Sequence, residues 1–310
     1  MINKTLFAWL VAIVLVAPTV GTPAIASESP HVILKRGYVD GPYGQIHYRQ
    51  AGPADPQVLR KSGKRPLVLF HQNPRSSYEY EPLMSHLAQD RICIAFDTPG
   101  YGQSASPPQP PGMPAYAAAM AQAMDQLGLG VKGKSGAVDV FGFHTGAFIA
   151  LELAVQRPDL VGRLALAGVP YTMGEERKYY YNRAVANRPV KHESGSYILD
   201  RYYLFVSHRP EGLDKERGRR LLLEYLISGD NSWWAYDGVF TYPAEQRLPL
   251  VKQPTLLLAV NDVLYQNTKS AKSVLPNSRL VDMEEIKGYA LLMTHPGEIA
   301  AQIRLFLDEG

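Results

Sequence analysis

The sequence predicts an α/β protein in which a mostly parallel β-sheet is covered by helices on both faces. Six short apolar runs are bounded by turn residues and are continuous rather than alternating, which is typical of strands buried on both faces. Helix-forming stretches separate these runs, and this alternation favours a parallel sheet. The runs are PLVLFH from Pro66, ICIAF from Ile92, AVDVF from Ala137, RLALAG from Arg163, TLLLAV from Thr255 and RLVDM from Arg279.

Other segments complete this pattern. Ahead of the first buried run, HVILKR and GQIHYRQAG predict an antiparallel hairpin that leads into the sheet. The predicted helices are SYEYEPLMSHLAQ from Ser77, MPAYAAAMAQAMDQLGL from Met113, AFIALELAVQ from Ala147 and GEIAAQIRLFL from Gly297.

The alternation of strand and helix stops between about Pro170 and Leu250. This segment is rich in tyrosine, arginine and tryptophan, as in KYYYNR from Lys178 and SWWAYDGVF from Ser232. A helical lid inserted over the sheet explains this composition, and most of its aromatic side chains are expected to pack the lid against the core. We therefore expect a core of residues 27–169, a lid of residues 170–250 and a second core segment of residues 251–310.

The N-terminus has the pattern of a signal peptide. A short basic start precedes the apolar stretch Leu6 to Val16, and AIA at Ala24 to Ala26 has small residues where signal peptidase cuts. The apolar stretch is shorter than the ~20 residues that span a bilayer. We expect residues 1–26 to be removed before Ser27, and a periplasmic or secreted protein with no stable membrane anchor.

Composition narrows the range of partners. The chain has 310 residues, 46% of them apolar, and a formal net charge of +3, which suits one large core. Basic residues are scattered, so nucleic acid is not an expected partner. The single cysteine, Cys93, lies in a strand run and cannot form an intrachain disulfide. We expect a small-molecule substrate, no cofactor and no metal, and the oligomeric state stays open.

A strand breaks sharply into a helix within VDVFGFHTGAFIALELA, which runs from Val138 to Ala154. The turn is Gly142-Phe143-His144-Thr145-Gly146, so a histidine stands at its apex. Turns of this kind usually expose a serine, aspartate or cysteine nucleophile above the sheet. His144 is therefore the first candidate for chemistry.

Four segments in order and spacing resemble the α/β-hydrolase superfamily, in particular its lidded esterases, lactonases, epoxide hydrolases, haloalkane dehalogenases and C–C hydrolases. The resemblance implies an eight-stranded core, a lid after the sixth strand and an active site at the carboxyl ends of the strands. It also implies a mainly structural role for the turn DTPGYGQS. The segments are LVLFHQNPRSSYEYEPLMSHLA, IAFDTPGYGQSASP, VDVFGFHTGA and PTLLLAVND.

The same resemblance implies an oxyanion site at the first motif, where His71 ends a strand. The backbone N–H groups of Asn73 and Thr145 would hold a developing negative charge. Gln72 stands where many relatives have glycine, so a side chain lies beside this site. In the similar loop of haloalkane dehalogenases the residue that matches Asn73 donates its side-chain amide to halide. The alternative is that Asn73 only braces its own turn.

The resemblance further implies a catalytic acid after TLLLAV, at Asp262, although an aspartate there also suits an ordinary turn. The family's catalytic histidine is replaced by Tyr289. A phenol with a pKa near ~10 is a poor base at neutral pH, so Tyr289 is expected to donate a hydrogen bond or orient an imidazole. His295 directly precedes Pro296 and is interpreted as the start of the last helix, not as a displaced base.

The serine mechanism is excluded, because the apex has no hydroxyl and the side chain of Thr145 should point elsewhere. Imidazole, with an unperturbed pKa of about 6.5, is largely neutral at pH 7 and can accept a proton. We therefore expect an enzyme that hydrolyses an ester or lactone of a small to medium apolar substrate. His144 would be its base and Asp262 the electrostatic partner of that base.

Other functions stay open at this point. His144 could act as an imidazole nucleophile, or the site could perform cofactor-free lyase or proton-transfer chemistry. A non-catalytic small-ligand-binding protein could also keep this fold and pocket. The titratable residue at the apex favours an enzyme. Haloalkane dehalogenases and epoxide hydrolases need an aspartate nucleophile, so their chemistry is discounted.

Overall fold

The computed structural model describes residues 32–130, 136–188 and 195–309. The predicted signal peptide, residues 1–26, lies outside the described residues. Within the described ranges, no helix is long and apolar enough to cross a membrane.

An eight-stranded sheet lies at the centre of the fold. Its strands are β1 Val32–Gly41, β2 Gly44–Pro53, β3 Leu67–Phe70, β4 Cys93–Phe96, β5 Val138–Phe143, β6 Val161–Ala167, β7 Thr255–Asn261 and β8 Ser278–Lys287. They lie side by side in the order β1-β2-β4-β3-β5-β6-β7-β8. Strand β2 pairs antiparallel with β1 and β4, and the remaining pairs are parallel. The predicted hairpin and the predicted mostly parallel sheet are confirmed.

Strand β5 lies near the middle of this sheet, and all of its residues are buried. It pairs with β3 on one side and with β6 on the other, so that Phe70, Gly142 and Leu166 stand at one level. The carboxyl ends of parallel strands meet at the same edge of a sheet. The loops that follow β3, β5, β6 and β7 therefore converge at this edge.

Helices cover both faces of the sheet, and the four predicted helices are present. The first of them is divided into a 3₁₀ turn, Ser77–Tyr80, and a short α-helix. The α-helices are α1 Pro56–Ser62, α2 Glu81–Leu87, α3 Gly112–Gln126, α4 Thr145–Gln156, α5 Gly174–Tyr181, α6 Ser196–Tyr202, α7 Lys215–Ile227, α8 Trp234–Thr241, α9 Ala244–Arg247, α10 Tyr265–Ala271, α11 Leu291–Thr294 and α12 Pro296–Leu307.

The buried side chains form one layer on each face of the sheet. Along β3, Val68 and Phe70 pack in the layer with α3 and α4. Leu67 and Leu69 pack in the layer with α2 and α12. Successive strand residues point to opposite faces, so burial on both faces requires an apolar residue at every position. This is why the runs are continuous rather than alternating.

The segment between β6 and β7 contains α5 to α9, and it covers the edge where the loops converge. Its buried residues Phe205, Leu213 and Leu221 form a separate cluster with Ala290 and Met293 of the core. Helix α8 lies close to the start of α3, because a Cβ atom at Gly238 would meet Met113. Aromatic and aliphatic side chains therefore hold this lid on the core.

Candidate active site

His144 occupies a strained turn between β5 and α4. Its backbone angles are φ 51° and ψ −117°, and it is the only non-glycine residue with positive φ in the described part of the chain. Such backbone costs on the order of 1–3 kcal/mol and tends to persist at functional sites. The turn lifts the imidazole to the edge where the carboxyl ends of the strands meet.

Three glycines make this turn and its imidazole sterically possible. A Cβ atom at Gly142 would overlap the backbone of Gly146, and one at Gly146 would overlap the carbonyl of Phe70. Gly168, just after β6, has φ +59°, and a Cβ atom there would lie 2.7 Å from Nε2 of His144 and 3.2 Å from Oδ2 of Asp262. The space left by Gly168 therefore admits the imidazole.

The structure joins His144 directly to Asp262, the residue that follows β7. Nε2 of His144 lies 2.7 Å from Oδ2 of Asp262. The other carboxylate oxygen, Oδ1, accepts a hydrogen bond of 2.7 Å from the N–H of Leu264. A carboxylate can only accept, so the imidazole donates through Nε2–H and keeps its lone pair on Nδ1. The Asp262 side chain is 3% exposed, whereas that of His144 is 20% exposed and accessible to a ligand.

Tyr289 contacts the lid through its hydroxyl and its ring. Its hydroxyl donates a hydrogen bond of 2.8 Å to the carbonyl of Leu204 in the lid, and its ring packs against Phe205 with centroids 6.1 Å apart. Burial raises its pKa, and the charge of Arg75 opposes that rise. In this structure the hydroxyl of Tyr289 therefore contacts the lid and the imidazole contacts Asp262, and the predicted role of Tyr289 as a donor or orienter at the site stays a prediction.

His71 and Gln72 form a hydrogen-bonded loop after β3. Nε2 of the buried His71 accepts a hydrogen bond of 2.9 Å from the N–H of Thr98. Its proton therefore resides on Nδ1 and is donated over 2.7 Å to the carbonyl of Gln72. Burial lowers the pKa of His71, which favours this neutral form. The side chain of Gln72 turns toward Glu79 and donates to its Oε2 over 2.9 Å.

Asn73 is 4% exposed, and neither polar atom of its side chain has a hydrogen-bond partner among the described residues. Its carbonyl accepts a hydrogen bond of 2.7 Å from the hydroxyl of Tyr236 in α8. A buried amide without partners is costly, so this side chain suits contact with a bound polar group better than bracing of its own turn. The lid thus lies directly on the predicted oxyanion loop.

Thr145 is buried and is the first residue of α4. The first N–H groups of a helix have no partner within the helix, and the helix dipole favours negative charge at this end. Asn73 and Thr145 follow β3 and β5, which are neighbours in the sheet. The two predicted oxyanion donors therefore lie on adjacent loops at the edge where His144 stands.

Sequence reasoning missed Glu79, which lies in the 3₁₀ turn Ser77–Tyr80 and is 3% exposed. Burial raises its pKa to about 8. With Gln72, Arg75 and Tyr289 it lines a cavity of about 10 Å³, which is room for about one water molecule. The available signal was the pair of glutamates in SYEYEPL, inside a stretch predicted to pack on the sheet.

The turn DTPGYGQS is built around Asp97. Its carboxylate accepts hydrogen bonds from Nδ1 of His47 over 2.8 Å and from the N–H groups of Ser77 and Gln103. Burial alone would raise the pKa of Asp97, but the hydrogen bonds from His47 and Ser77, together with electrostatic interactions with His71 and His47, hold it at about 2. Its contacts are those of a structural residue that ties the loop after β4 to the loop after β3.

Comparisons with known proteins agree with this architecture. A family profile described as alpha/beta hydrolase fold matches residues 65–190. A poly(3-hydroxyalkanoate) depolymerase of Ectopseudomonas oleovorans is 25% identical over 256 residues, which cover 79% of this chain and 84% of that protein.

Solved structures extend the likeness over most of the chain. A thermophilic esterase from Thermogutta terrifontis has a TM-score of 0.67 and 20% identity, covering 89% of this chain and 98% of that one. The enol-lactonase from Burkholderia xenovorans has a TM-score of 0.66 and 16% identity, covering 88% of this chain and 100% of that one. At these identities the structures show a shared fold. The chain therefore has the α/β-hydrolase fold.

Proposed function

We propose that the protein is a hydrolase that cleaves an ester or lactone of a small to medium apolar substrate by direct attack of water. The observation that carries this proposal is the contact between Nε2 of His144 and Oδ2 of Asp262, which leaves Nδ1 as a free base. A serine hydrolase uses such a histidine–carboxylate pair to deprotonate its serine. Here the pair itself stands at the apex, so water takes the place of the hydroxyl.

The proposed reaction has two steps. Nδ1 of His144 takes a proton from water while the oxygen of that water bonds to the acyl carbon, and the N–H groups of Asn73 and Thr145 hold the oxyanion. The carboxylate of Asp262 stabilises the imidazolium that forms. The tetrahedral intermediate then expels the alkoxide, which takes the proton from Nδ1 of His144. The products are an acid and an alcohol, and the enzyme is unchanged.

The substrate class is proposed from the site and from the relatives together. The segment that covers the site packs on the core through aromatic and aliphatic side chains, which is compatible with an apolar acyl chain. The depolymerase that is 25% identical is named for a polyester of hydroxy acids. Oligomers of 3-hydroxy acids and p-nitrophenyl esters of graded chain length are therefore the first substrates to test.

The decisive variant is His144→Ala, with His86→Ala as a matched control because His86 is an exposed histidine of α2. Removing the base should lower kcat on the order of 10²–10⁴-fold, and the control should behave like the unaltered protein. Steady-state hydrolysis of the ester panel measures both. Unchanged activity in His144→Ala would refute the proposed base.

A mass spectrum taken during turnover separates direct attack of water from imidazole nucleophilic catalysis. Direct attack leaves the enzyme mass unaltered, whereas an acyl-imidazole adds the mass of the acyl group to the peptide that contains His144. Accumulation of that adduct would replace the general-base mechanism by the nucleophilic one.

The same free Nδ1 favours a second candidate, cofactor-free proton transfer or lyase chemistry, because no hydroxyl stands between the base and a substrate carbon. Exchange of a substrate C–H for deuterium in heavy water, lost in His144→Ala, would select this reaction. If neither hydrolysis nor exchange occurs while a ligand of this class binds tightly, the chain is a binding protein on a hydrolase fold.

A further inference from the structure

Both main-chain polar groups of Gln72 are held by neighbouring residues. Its N–H donates to Oε1 of Glu79 over 3.0 Å. Its carbonyl accepts from Nδ1–H of His71 over 2.7 Å and from the N–H of Arg75 over 3.0 Å. The peptide unit on each side of Gln72 is therefore fixed in direction.

The direction of the Asn73 N–H follows from this arrangement. In a trans peptide unit the carbonyl and the next N–H point in opposite directions, and the bond between Gln72 and Asn73 is trans. Fixing the carbonyl of Gln72 consequently fixes the N–H of Asn73. Tyr236 holds the carbonyl of Asn73 from the lid side. The proposed oxyanion donor is thus oriented before a substrate arrives.

Glu79 makes two contacts to Gln72. Besides the backbone N–H, the side-chain Nε2 of Gln72 also donates to the carboxyl of Glu79, over 2.9 Å. The carboxyl is 3% exposed and sits in the turn directly after the loop. One side chain therefore holds the backbone and the amide of Gln72 together.

We propose that Glu79 is a positioning residue, whose buried carboxyl holds Gln72 so that Asn73 presents its N–H to the oxyanion, and whose ionisation limits activity at alkaline pH. This inference rests on the proposed function, because it assumes that the N–H of Asn73 contacts the oxyanion.

The charged side chains that act most strongly on Glu79 are Arg75 and Glu224. Arg75 from the same loop favours its ionised form and Glu224 of α7 opposes it. Glu224 accepts a hydrogen bond from Ser76. Other elements that pack against the turn of Glu79 also carry titratable groups. Arg49 of β2 forms an ion pair with Glu81, and Asp97 after β4 is bound by His47. Tyr289, which precedes α11, lines the same small cavity as Glu79.

Burial is the largest influence on Glu79 and raises its pKa to about 8. The carboxyl is therefore mostly protonated at neutral pH. In the protonated form one carboxyl oxygen of Glu79 still accepts from the N–H of Gln72. The carboxyl hydroxyl donates to the side-chain amide oxygen of Gln72 when that amide is flipped by 180°. The two contacts thus survive in the neutral state.

Ionisation above pH 8 places a buried negative charge one peptide unit from the oxyanion donor. Like charges at this separation repel strongly in a medium of low dielectric constant. The developing oxyanion is destabilised and the ground state is not, so kcat should fall on the order of tenfold while KM changes little.

The test compares kcat and KM from pH 6 to pH 10 for the unaltered protein, Glu79→Gln and Glu224→Gln. Glu79→Gln keeps a donor and an acceptor but cannot ionise, so kcat should drop roughly threefold at pH 7 and show no decline through pH 8. Glu224→Gln changes an equally buried carboxyl and should keep the alkaline decline. A decline that persists in Glu79→Gln, or that disappears in Glu224→Gln, would overturn the proposal.

A second measurement does not depend on turnover. In Glu79→Ala, hydrogen exchange of the peptide that contains Gln72 and Asn73 should accelerate at least tenfold, while peptides of β5 keep their protection. Unaltered exchange in that peptide would refute the positioning role even if no ester is hydrolysed. If His144→Ala loses ester activity while hydrogen exchange of the peptide with Gln72 and Asn73 stays normal, the result concerns the proposed function and not the positioning role of Glu79.

Discussion

At the scale of single residues, the site depends on volume that glycine leaves free. His144 and Asp262 meet only because Gly168, on a third strand-end loop, has no side chain between them. The orientation of the imidazole then follows from Asp262, whose two oxygens accept one hydrogen bond each. A glycine distant from the elbow in the sequence is therefore as necessary as the two glycines that flank it.

Gly168→Ala should separate His144 from Asp262 and lower kcat/KM roughly 100-fold, because small misplacements of a catalytic group are costly. Gly63→Ala is the matched control, since Gly63 has φ +60° and nothing within 4 Å of an added Cβ atom. Both variants carry the backbone cost of about 1 kcal/mol for a left-handed residue, seen in thermal unfolding. Full activity in Gly168→Ala would show that the pair is not needed.

At the scale of elements, local caps and long-range packing create different helices. Helix α1 has no buried residue and is held by Asp55, whose side chain accepts from the N–H of Gln57, and by Gly63 at its C-terminus. Such a helix has no apolar stripe, so periodicity did not predict it. Helix α8 instead depends on contacts with the core, where the N–H of Ala235 donates to the hydroxyl of Tyr101 over 3.0 Å.

Tyr236→Phe should remove the hydrogen bond from α8 to the carbonyl of Asn73 and lower kcat about 3–10-fold, the worth of one net hydrogen bond. Tyr242→Phe is its control, because Tyr242 is a buried tyrosine of the same segment whose hydroxyl donates to Glu152 over 2.6 Å instead of to the Asn73 loop. The control should lose stability and keep kcat. The same kcat for Tyr236→Phe and the unaltered protein would exclude a role of α8 in holding the loop.

At the scale of the whole molecule, two buried carboxyls make stability depend on pH in opposite directions. The pKa of Glu79 is raised by burial from 4.5 to about 8. The pKa of Asp97 is lowered from its ordinary value of 3.8 to about 2, because hydrogen bonds to its carboxylate and electrostatic interactions with His71 and His47 outweigh the effect of burial. Protons therefore bind more tightly to the folded state at Glu79 and less tightly at Asp97.

Stability from Glu79 is fully present below pH 4.5 and is lost as pH rises to about 8, on the order of 5 kcal/mol. Stability from Asp97 is present above pH 3.8 and is lost as pH falls to about 2, roughly 2 kcal/mol. Urea denaturation from pH 2 to pH 9 measures both. Glu79→Gln should flatten the alkaline slope and Asp97→Asn the acidic one; slopes shared by all three proteins would contradict this assignment.

The sequence by itself determined the mostly parallel sheet, and from it we also predicted the lid segment and the catalytic roles of His144 and Asp262. Apolar runs without alternation indicate strands buried on both faces, and the elbow glycines indicate a turn that few other residues allow. These signals are local, so they can be read from a single chain.

Only the tertiary structure decided which residues of the site are joined by hydrogen bonds. His144 and Asp262 are 118 residues apart, and only their packing around Gly168 shows that Nδ1 is the free base. Tyr289 stands at the position in the sequence where the resemblance implies a catalytic residue. Its hydroxyl nevertheless donates a hydrogen bond to the carbonyl of Leu204 in the lid. Glu79 acquired its altered pKa from burial, which depends on every segment packed around it. Hydrogen-bond direction and desolvation arise between distant segments, so no local pattern encodes them.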